Sequence, residues 1–324
     1  MDRRRISLGL ALAGPIGLVW PGFARAAKAS ARIGWIADPA TSTPGNFEAL
    51  RAGMHDRGWV VGRNLNIEER WIRRDQGRAV ATELEKGGAD VLVATGSIGF
   101  DLARAPGQVP VVFVIGGDPV EGRVVSSLAR PQSNCTGLTL LAYELIGKRL
   151  ELLRQALPGA QQVAFMFQEA HAGARIELRE AQAAATRLGL ALRPLPLDAQ
   201  IGVEPALQLL AEERPHALLT SVDGLVSRHA GRIAAASTRL GVPTVSGWGQ
   251  LAAEGYLLTY GPSLSGTYHY LAGHVDKILR GTKAGEIPVE LPPKVELVLN
   301  LAVARSLGVR LPTSLLARAD RLLT

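Results

Sequence analysis

The runs "VPVVFVI" (Val109–Ile115) and "ALLTSV" (Ala217–Val222) are continuous rather than alternating in their apolar character. A strand with one wet face alternates apolar and polar side chains, so a continuous run belongs to a strand covered on both faces. Such strands build parallel sheets. Parallel neighbours need a crossover between them, usually a helix, and that helix supplies the cover. The chain must therefore alternate strand and helix along its length.

It does so almost without break. Strands are expected at Arg32–Ala37, Leu65–Trp71, Val91–Thr95, Val109–Ile115 and Thr136–Leu141, then at Gln162–Phe167, Ala191–Leu197, Ala217–Val222, Thr244–Trp248 and Tyr256–Tyr260. Amphipathic stretches lie between them, among them Phe47–Arg57, Arg78–Lys86, Ala172–Leu188 and Pro205–Glu213. In Ala172–Leu188 the small and apolar residues Ile176, Ala183, Ala184 and Leu188 recur at helical spacing. "DRGW", "RLGL" and "RLGV" place a glycine just past a last turn, a helix stop signal. The β–α unit repeats about five times and then starts again. At 324 residues the chain exceeds one ordinary core. The fold class expected is α/β, with two doubly wound parallel-sheet lobes. The helix Leu145–Ala156, ending in Pro158-Gly159, marks the boundary. Beyond residue 264 the pattern changes: a long helix at Ser265–Arg280, an extended Pro-rich "IPVELPPKVELVLN", a short helix and a polar tail. This coda reads as a further crossing between lobes.

The first 26 residues read as an export signal instead of structure. "MDRRRISLGLALAGPIGLVWPGFARA" has a basic start, a short apolar stretch and a small-x-small site at Ala24-Arg25-Ala26. Its apolar stretch falls short of the roughly 20 residues of a membrane span. The Arg3-Arg4-Arg5 start fits both the general secretory and the twin-arginine routes. No cysteine stands near the cleavage site, so a lipid anchor is not expected and a periplasmic location is. The segment holds four arginines and one aspartate, so only +4 of the net charge of +7 belongs to the rest of the chain. That charge is spread thinly, with no basic cluster among aromatics, and nucleic acid is excluded as a partner. The lone Cys135 has no internal disulfide partner and reads as a small buried residue in the turn "SNCTG".

In an open parallel sheet a ligand sits beyond the carboxyl ends of the strands. Those positions can be read off directly. Thr95-Gly96-Ser97 follows the third strand; its glycine admits close backbone approach, and its hydroxyls and the next helix's first N–H groups can all donate to an anion. Asp118-Pro119 follows Gly116-Gly117, as a cap for a helix or as an acceptor for a ligand amine. From the second half come Gln168-Glu169, Asp223 (with the same two readings), Trp248 and Tyr260; the aromatics can stack on an apolar ligand or belong to the core. Neither G-x-G-x-x-G nor G-x-x-x-x-G-K-[ST] occurs, so no phosphate cofactor is expected. The six histidines lack metal spacing, and G-x-S-x-G is missing. No catalytic residue, metal or cofactor is assigned.

A set of longer motifs adds to this. "VPVVFVIGGDPVEGRVVSSLARPQSNCTGLTLL", "GKRLELLRQALPG" and "IPVELPPKVELVLNLAVARSLGVRLPTSLLARAD" closely resemble the ABC-transporter substrate-binding protein family that includes tryptophan-binding (TrpX-like) proteins, and "RIGWIADP" and "VLVATGS" extend the likeness over the mature chain. The resemblance implies a type I periplasmic binding-protein fold with three hinge crossovers: residues 31–139 plus about 262–290 in one lobe, and 140–261 plus about 291–324 in the other. It implies a small carboxylate ligand, an aromatic amino acid or related acid, held in a cleft that closes by hinge motion. The partners it implies are a membrane permease and its ATPase. In that setting Thr95-Gly96-Ser97 and Asp118-Pro119 form the first wall, and Gln168, Asp223, Trp248 and Tyr260 close on it. The chain departs from its relatives at "MFQEAHAG", where similar proteins carry an Asn-Pro turn, and at "ADPATSTPGN". The ligand itself is therefore not inherited. A sensor for a membrane signalling partner is the alternative on the same scaffold, with an exported enzyme behind it.

Overall fold

The computed structural model describes residues 29–39, 42–140, 143–170, 173–198 and 200–324. The segment read as an export signal lies outside the described residues, as do Ala40, Thr41 and His171. The first half runs β1 (Ala31–Ala37), α1 (Pro44–His55), β2 (Leu65–Trp71), α2 (Gly77–Lys86), β3 (Val91–Thr95), α3 (Gly96–Arg104), β4 (Val111–Ile115) and β5 (Cys135–Thr139). Its sheet is all parallel, in the order β2-β1-β3-β4-β5. Order reverses at β1/β3, which leaves a crevice at the strand ends there.

The second half repeats the plan: α4 (Ile146–Ala156), β6 (Gln162–Gln168), α5 (Ala174–Arg187), β7 (Ala191–Leu197), α6 (Glu204–Glu213), β8 (Ala217–Thr220), α7 (Gly224–Arg228), α8 (Ala230–Arg239), β9 (Thr244–Ser246) and β10 (Leu258–Pro262). The chain then returns to the first lobe as α9 (Leu264–Leu279), which packs along α1. It finishes in the second as β11 (Val295–Asn300), α10 (Leu301–Ser306), α11 (Thr313–Leu316) and β12 (Arg321–Leu323). The second sheet has the order β12-β11-β10-β9-β8-β6-β7.

The continuous apolar runs are buried as their composition requires. In β4, Val112 and Val114 face one core with Phe47, Leu50 and Met54 of α1 and Leu271 and Val275 of α9. Val111, Phe113 and Ile115 face the other, with Leu84 of α2 and Ile98 and Leu102 of α3. Alternate residues of one strand thus serve two cores, one on each face of the sheet. The three glycine stop signals all take positive φ: Gly58 (87°), Gly189 (65°) and Gly241 (73°). That region is nearly free of strain only for glycine.

Two expectations change. The coda makes the further crossing, but it then belongs to a lobe: β11 pairs antiparallel with β10, Leu258 opposite Leu299 and Pro262 opposite Val295, and extends the second sheet. That sheet is therefore mixed. Cys135 is the first residue of β5 instead of a turn residue, and it is fully buried.

The chain passes between the sheets three times: from β5 to α4, from β10 to α9, and from residue 290 to β11. The last pass is stitched to β5 before it leaves. Glu290 N–H donates to the Gly137 carbonyl (3.1 Å), Thr139 N–H to the Glu290 carbonyl (3.1 Å), and Thr136 Oγ1 to the Ile287 carbonyl (2.8 Å). No helix among the described residues is long and apolar enough to cross a membrane.

Candidate functional site: the cleft between the sheets

A cleft of about 500 Å³ opens where the carboxyl ends of the two sheets face each other. On the first lobe α3 sets the wall. Gly96 has φ of 58°, which turns the chain sharply out of β3 into the helix. Gly99 then lets α3 press on the strand: a Cβ there would stand 2.6 Å from the Ala94 carbonyl oxygen. The first turn of α3 is thereby fixed at the cleft, with Gly96 and Ser97 lining it and Phe100 one turn further on. The N–H groups of that turn have no helical partner and point outward. Ser97 makes no side-chain hydrogen bond among the described residues, which leaves its hydroxyl for a ligand.

Thr95 stands behind this wall. It is buried at 1% exposure, and its Oγ1 faces the Tyr268 phenol without a hydrogen bond of ordinary geometry. Tyr268 itself reaches the cleft from α9. Burial pushes its phenol well above the ordinary range, while the Ser42 and Thr95 hydroxyls draw it down. It stays neutral and brings an aromatic ring to the cleft. Trp35 packs under it, with centroids 5.6 Å apart, and Phe47 and Trp71 pack around Trp35 at 5.4 and 6.0 Å.

Asp118 lines the cleft, but one of its oxygens already accepts from Val120 N–H (2.7 Å) and Glu121 N–H (3.2 Å). It closes a turn, and no helix follows. Pro119 is buried beneath that turn and does not line the cleft. On the second lobe Asp223 is buried and lines the cleft. It caps α7 through Val226 N–H (2.8 Å), accepts from Gln168 N–H (3.1 Å) and accepts from the Ser221 hydroxyl. Its negative charge is spent on binding loops of its own lobe. Gln168 and Trp248 also line the cleft; Trp248 is 8% exposed and offers a flat apolar face. Tyr260 does not line it. The Tyr260 ring packs on the second-lobe core, and its carbonyl accepts from Nε of Arg149 (2.8 Å).

The cleft thus brings together Gly96, Ser97, Asp118, Gln168, Asp223 and Trp248, and leaves Thr95, Pro119 and Tyr260 outside its lining. Reading strand ends missed Phe100, Tyr143, Tyr268 and Arg228, which also line it. Phe100 was within reach of helical spacing, three residues past Ser97. Tyr143 lies in the first crossover, and Tyr268 arrives from a helix more than 170 positions downstream of β3. The Tyr143 phenol is pushed up to about 12, by burial first and then by the carboxylates of Asp118, Glu144, Glu121 and Glu180. Among the described residues no group of three His, Cys, Asp or Glu side chains is placed to hold a metal ion.

Known proteins carry the same architecture. A family model described as "ABC transporter substrate binding protein" matches residues 42–323. A tyrosine-binding protein of Clostridioides difficile is 21% identical over 261 residues, covering 79% of this chain and 74% of the relative. A conserved domain protein of Vibrio cholerae superposes with a TM-score of 0.83 at 23% identity, over 90% of this chain and 99% of its own. An ABC domain from Streptococcus pneumoniae, solved with L-Trp, superposes with a TM-score of 0.79 at 18% identity, over 90% and 100%. At these identities the superpositions show a shared fold.

Proposed function

The chain belongs to the family of ABC transporter substrate-binding proteins, and from that premise we propose that it is the extracytoplasmic receptor of an importer, holding a small carboxylate between its lobes. The observation that carries the reading is the cleft itself. It combines an anion-ready first turn of α3 with the aromatic rings of Phe100, Trp248 and Tyr268. A carboxylate at Ser97 would accept from its hydroxyl and from the free N–H groups of α3, where the helix dipole also favours negative charge. An aromatic side chain would then lie against Trp248 and Phe100. The ligand class is an aromatic amino acid or related aromatic acid, the class bound by the tyrosine-binding relative and by the L-Trp complex.

The three crossings supply the hinge on which the lobes close around the ligand. The closed form would dock on a membrane permease, whose ATPase drives uptake; the receptor performs no chemical step. Residues 31–139 with about 262–290 form one moving body in this reading, and 140–261 with about 291–324 the other. The test is calorimetry on the mature chain with L-tryptophan, L-tyrosine, L-phenylalanine and simple aromatic acids. At least one is expected to bind, and Ser97→Ala to weaken it by about 1 kcal/mol, the worth of one hydrogen bond. Silence from the whole panel would sink the reading.

A further inference from the structure

Charged side chains gather at both ends of the cleft. Asp118 and Glu121 follow β4, and Tyr143 stands beside them in the first crossover, with its phenol held neutral partly by their charge. Arg74 follows β2 at the sheet's other edge. In the order β2-β1-β3-β4 three strand spacings separate the two ends, roughly 14 Å at about 4.8 Å each. Arg228, at the end of α7 on the second lobe, lines the cleft beside Arg74. There the cleft continues into a side chamber of about 580 Å³, bordered by the same two arginines.

Most of these charges are already matched, and Asp38, which follows β1 and lines both the cleft and the chamber at the arginine end, has a partner of its own. Arg74 is held in a two-bond fork by Asp101 (2.7 and 2.9 Å), and one Asp118 oxygen closes its own turn. Arg73 pairs with Asp75, and Arg78 donates to the carbonyls of Ala105 and Asp101. Two are not matched. The Glu121 carboxylate and the Arg228 guanidinium make no ion pair or hydrogen bond among the described residues. One stands at each end. Closing the lobes strips water from both, and this costs free energy unless the occupant brings the opposite charges.

A single α-amino acid carries both charges on one carbon and cannot reach both ends. An extended peptide advances about 3.3–3.6 Å per residue, so two or three residues, with the reach of the Arg228 side chain, span the gap. We propose that the cleft takes a short zwitterionic peptide, its ammonium at Glu121 and Asp118 and its carboxylate at Arg228, with Ser97 and Trp248 along its middle. The proposal rests on the reading of this cleft as the ligand site; it replaces a single amino acid with its carboxylate at Ser97 by a peptide whose carboxylate sits at Arg228 and whose backbone carbonyls face Ser97 and the first turn of α3.

Calorimetry decides it, with Gly-Tyr, Gly-Trp and Gly-Phe set against the free amino acids L-tyrosine, L-tryptophan and L-phenylalanine. The best peptide is expected to bind at least about tenfold more tightly than the best amino acid. Its C-terminal amide should lose roughly tenfold on the parent protein and nothing further on Arg228→Gln, and its N-acetyl form should behave likewise with Glu121→Gln. Both side chains are exposed, and the acid-against-amide comparison needs no variant at all. Amino acids that bind as well as or better than every peptide would overturn the peptide proposal and leave the carboxylate receptor standing; amide and acid binding alike would overturn the peptide proposal too, and binding of the free amino and aromatic acids would then decide the receptor reading. If neither peptides, amino acids nor aromatic acids bind, both readings fall.

Discussion

Glu177, in the first turn of α5, is 4% exposed and lies behind the second-lobe wall of the cleft. Burial pushes its carboxyl up to about 8; Asp223 repels it further, and Arg149 acts in the opposite sense. Arg149 is itself fully buried, and burial brings it down to about 10, so it remains charged at neutral pH. At pH 7 Glu177 is therefore protonated beside a charged Arg149, whose Nε donates to the Tyr260 carbonyl. The consequence for stability follows from proton counting. Between 4.5 and about 8 the folded chain keeps a proton that the unfolded chain has released, so stability falls as pH rises through that window. Glu177→Gln removes this loss. Its advantage over the parent should grow with pH by up to about 1.4 kcal/mol per unit within the window and vanish below it. Urea midpoints across the window measure it; a constant difference would mean that Glu177 is ionised in the fold.

The helices show the same economy of space. Gly53 on α1 meets α9 so closely that a Cβ would stand 2.4 Å from the His269 carbonyl oxygen and 2.8 Å from the Ala272 methyl. Polar ties flank the contact: His269 bonds Asp56 (2.8 Å), and Trp59 Nε1 donates to Asp276 (2.8 Å). Since the obstacle is backbone, Gly53→Ala must push the helices apart, at a cost of about 1–3 kcal/mol. A lowered urea midpoint for the first lobe checks this; an unchanged one would show that α9 has room to slide. The contact also separates what sequence can and cannot give at this scale. Ser265–Arg280 is legible as a helix from its periodicity, and α9 forms at Leu264–Leu279. That it packs on α1, more than 200 positions earlier, and carries Tyr268 to the cleft was not legible. Nothing in the local pattern encodes a partner so distant. The cleft divides likewise. Gly96 and Ser97 follow from the strand-end rule, whereas Tyr260 obeys the same rule and still faces the core.

At the scale of the molecule, the end of the chain completes a lobe that began at residue 146. β11 covers β10 with five paired residues, and Leu297, Leu299 and Leu315 are buried in the second-lobe core. A chain ended at residue 290 would leave β10 as a bare apolar edge, open to pairing with other copies. Such a truncation is expected to aggregate, and size-exclusion chromatography would show it; a monodisperse truncated chain would mean that the second lobe is complete without its last strands. Sequence alone determined that this chain builds two α/β lobes, because continuous apolar strands demand helices on both faces and the pattern runs twice. It also determined the family, through motifs spread along the chain. Only the tertiary structure decided which strand-end residues meet across the cleft and where the coda docks. It alone placed an unmatched acid and an unmatched base at opposite ends of one cavity. Periodicity is local and fixes each element and its buried faces, but the meeting of two strand ends depends on sheet order, which packing between distant segments selects.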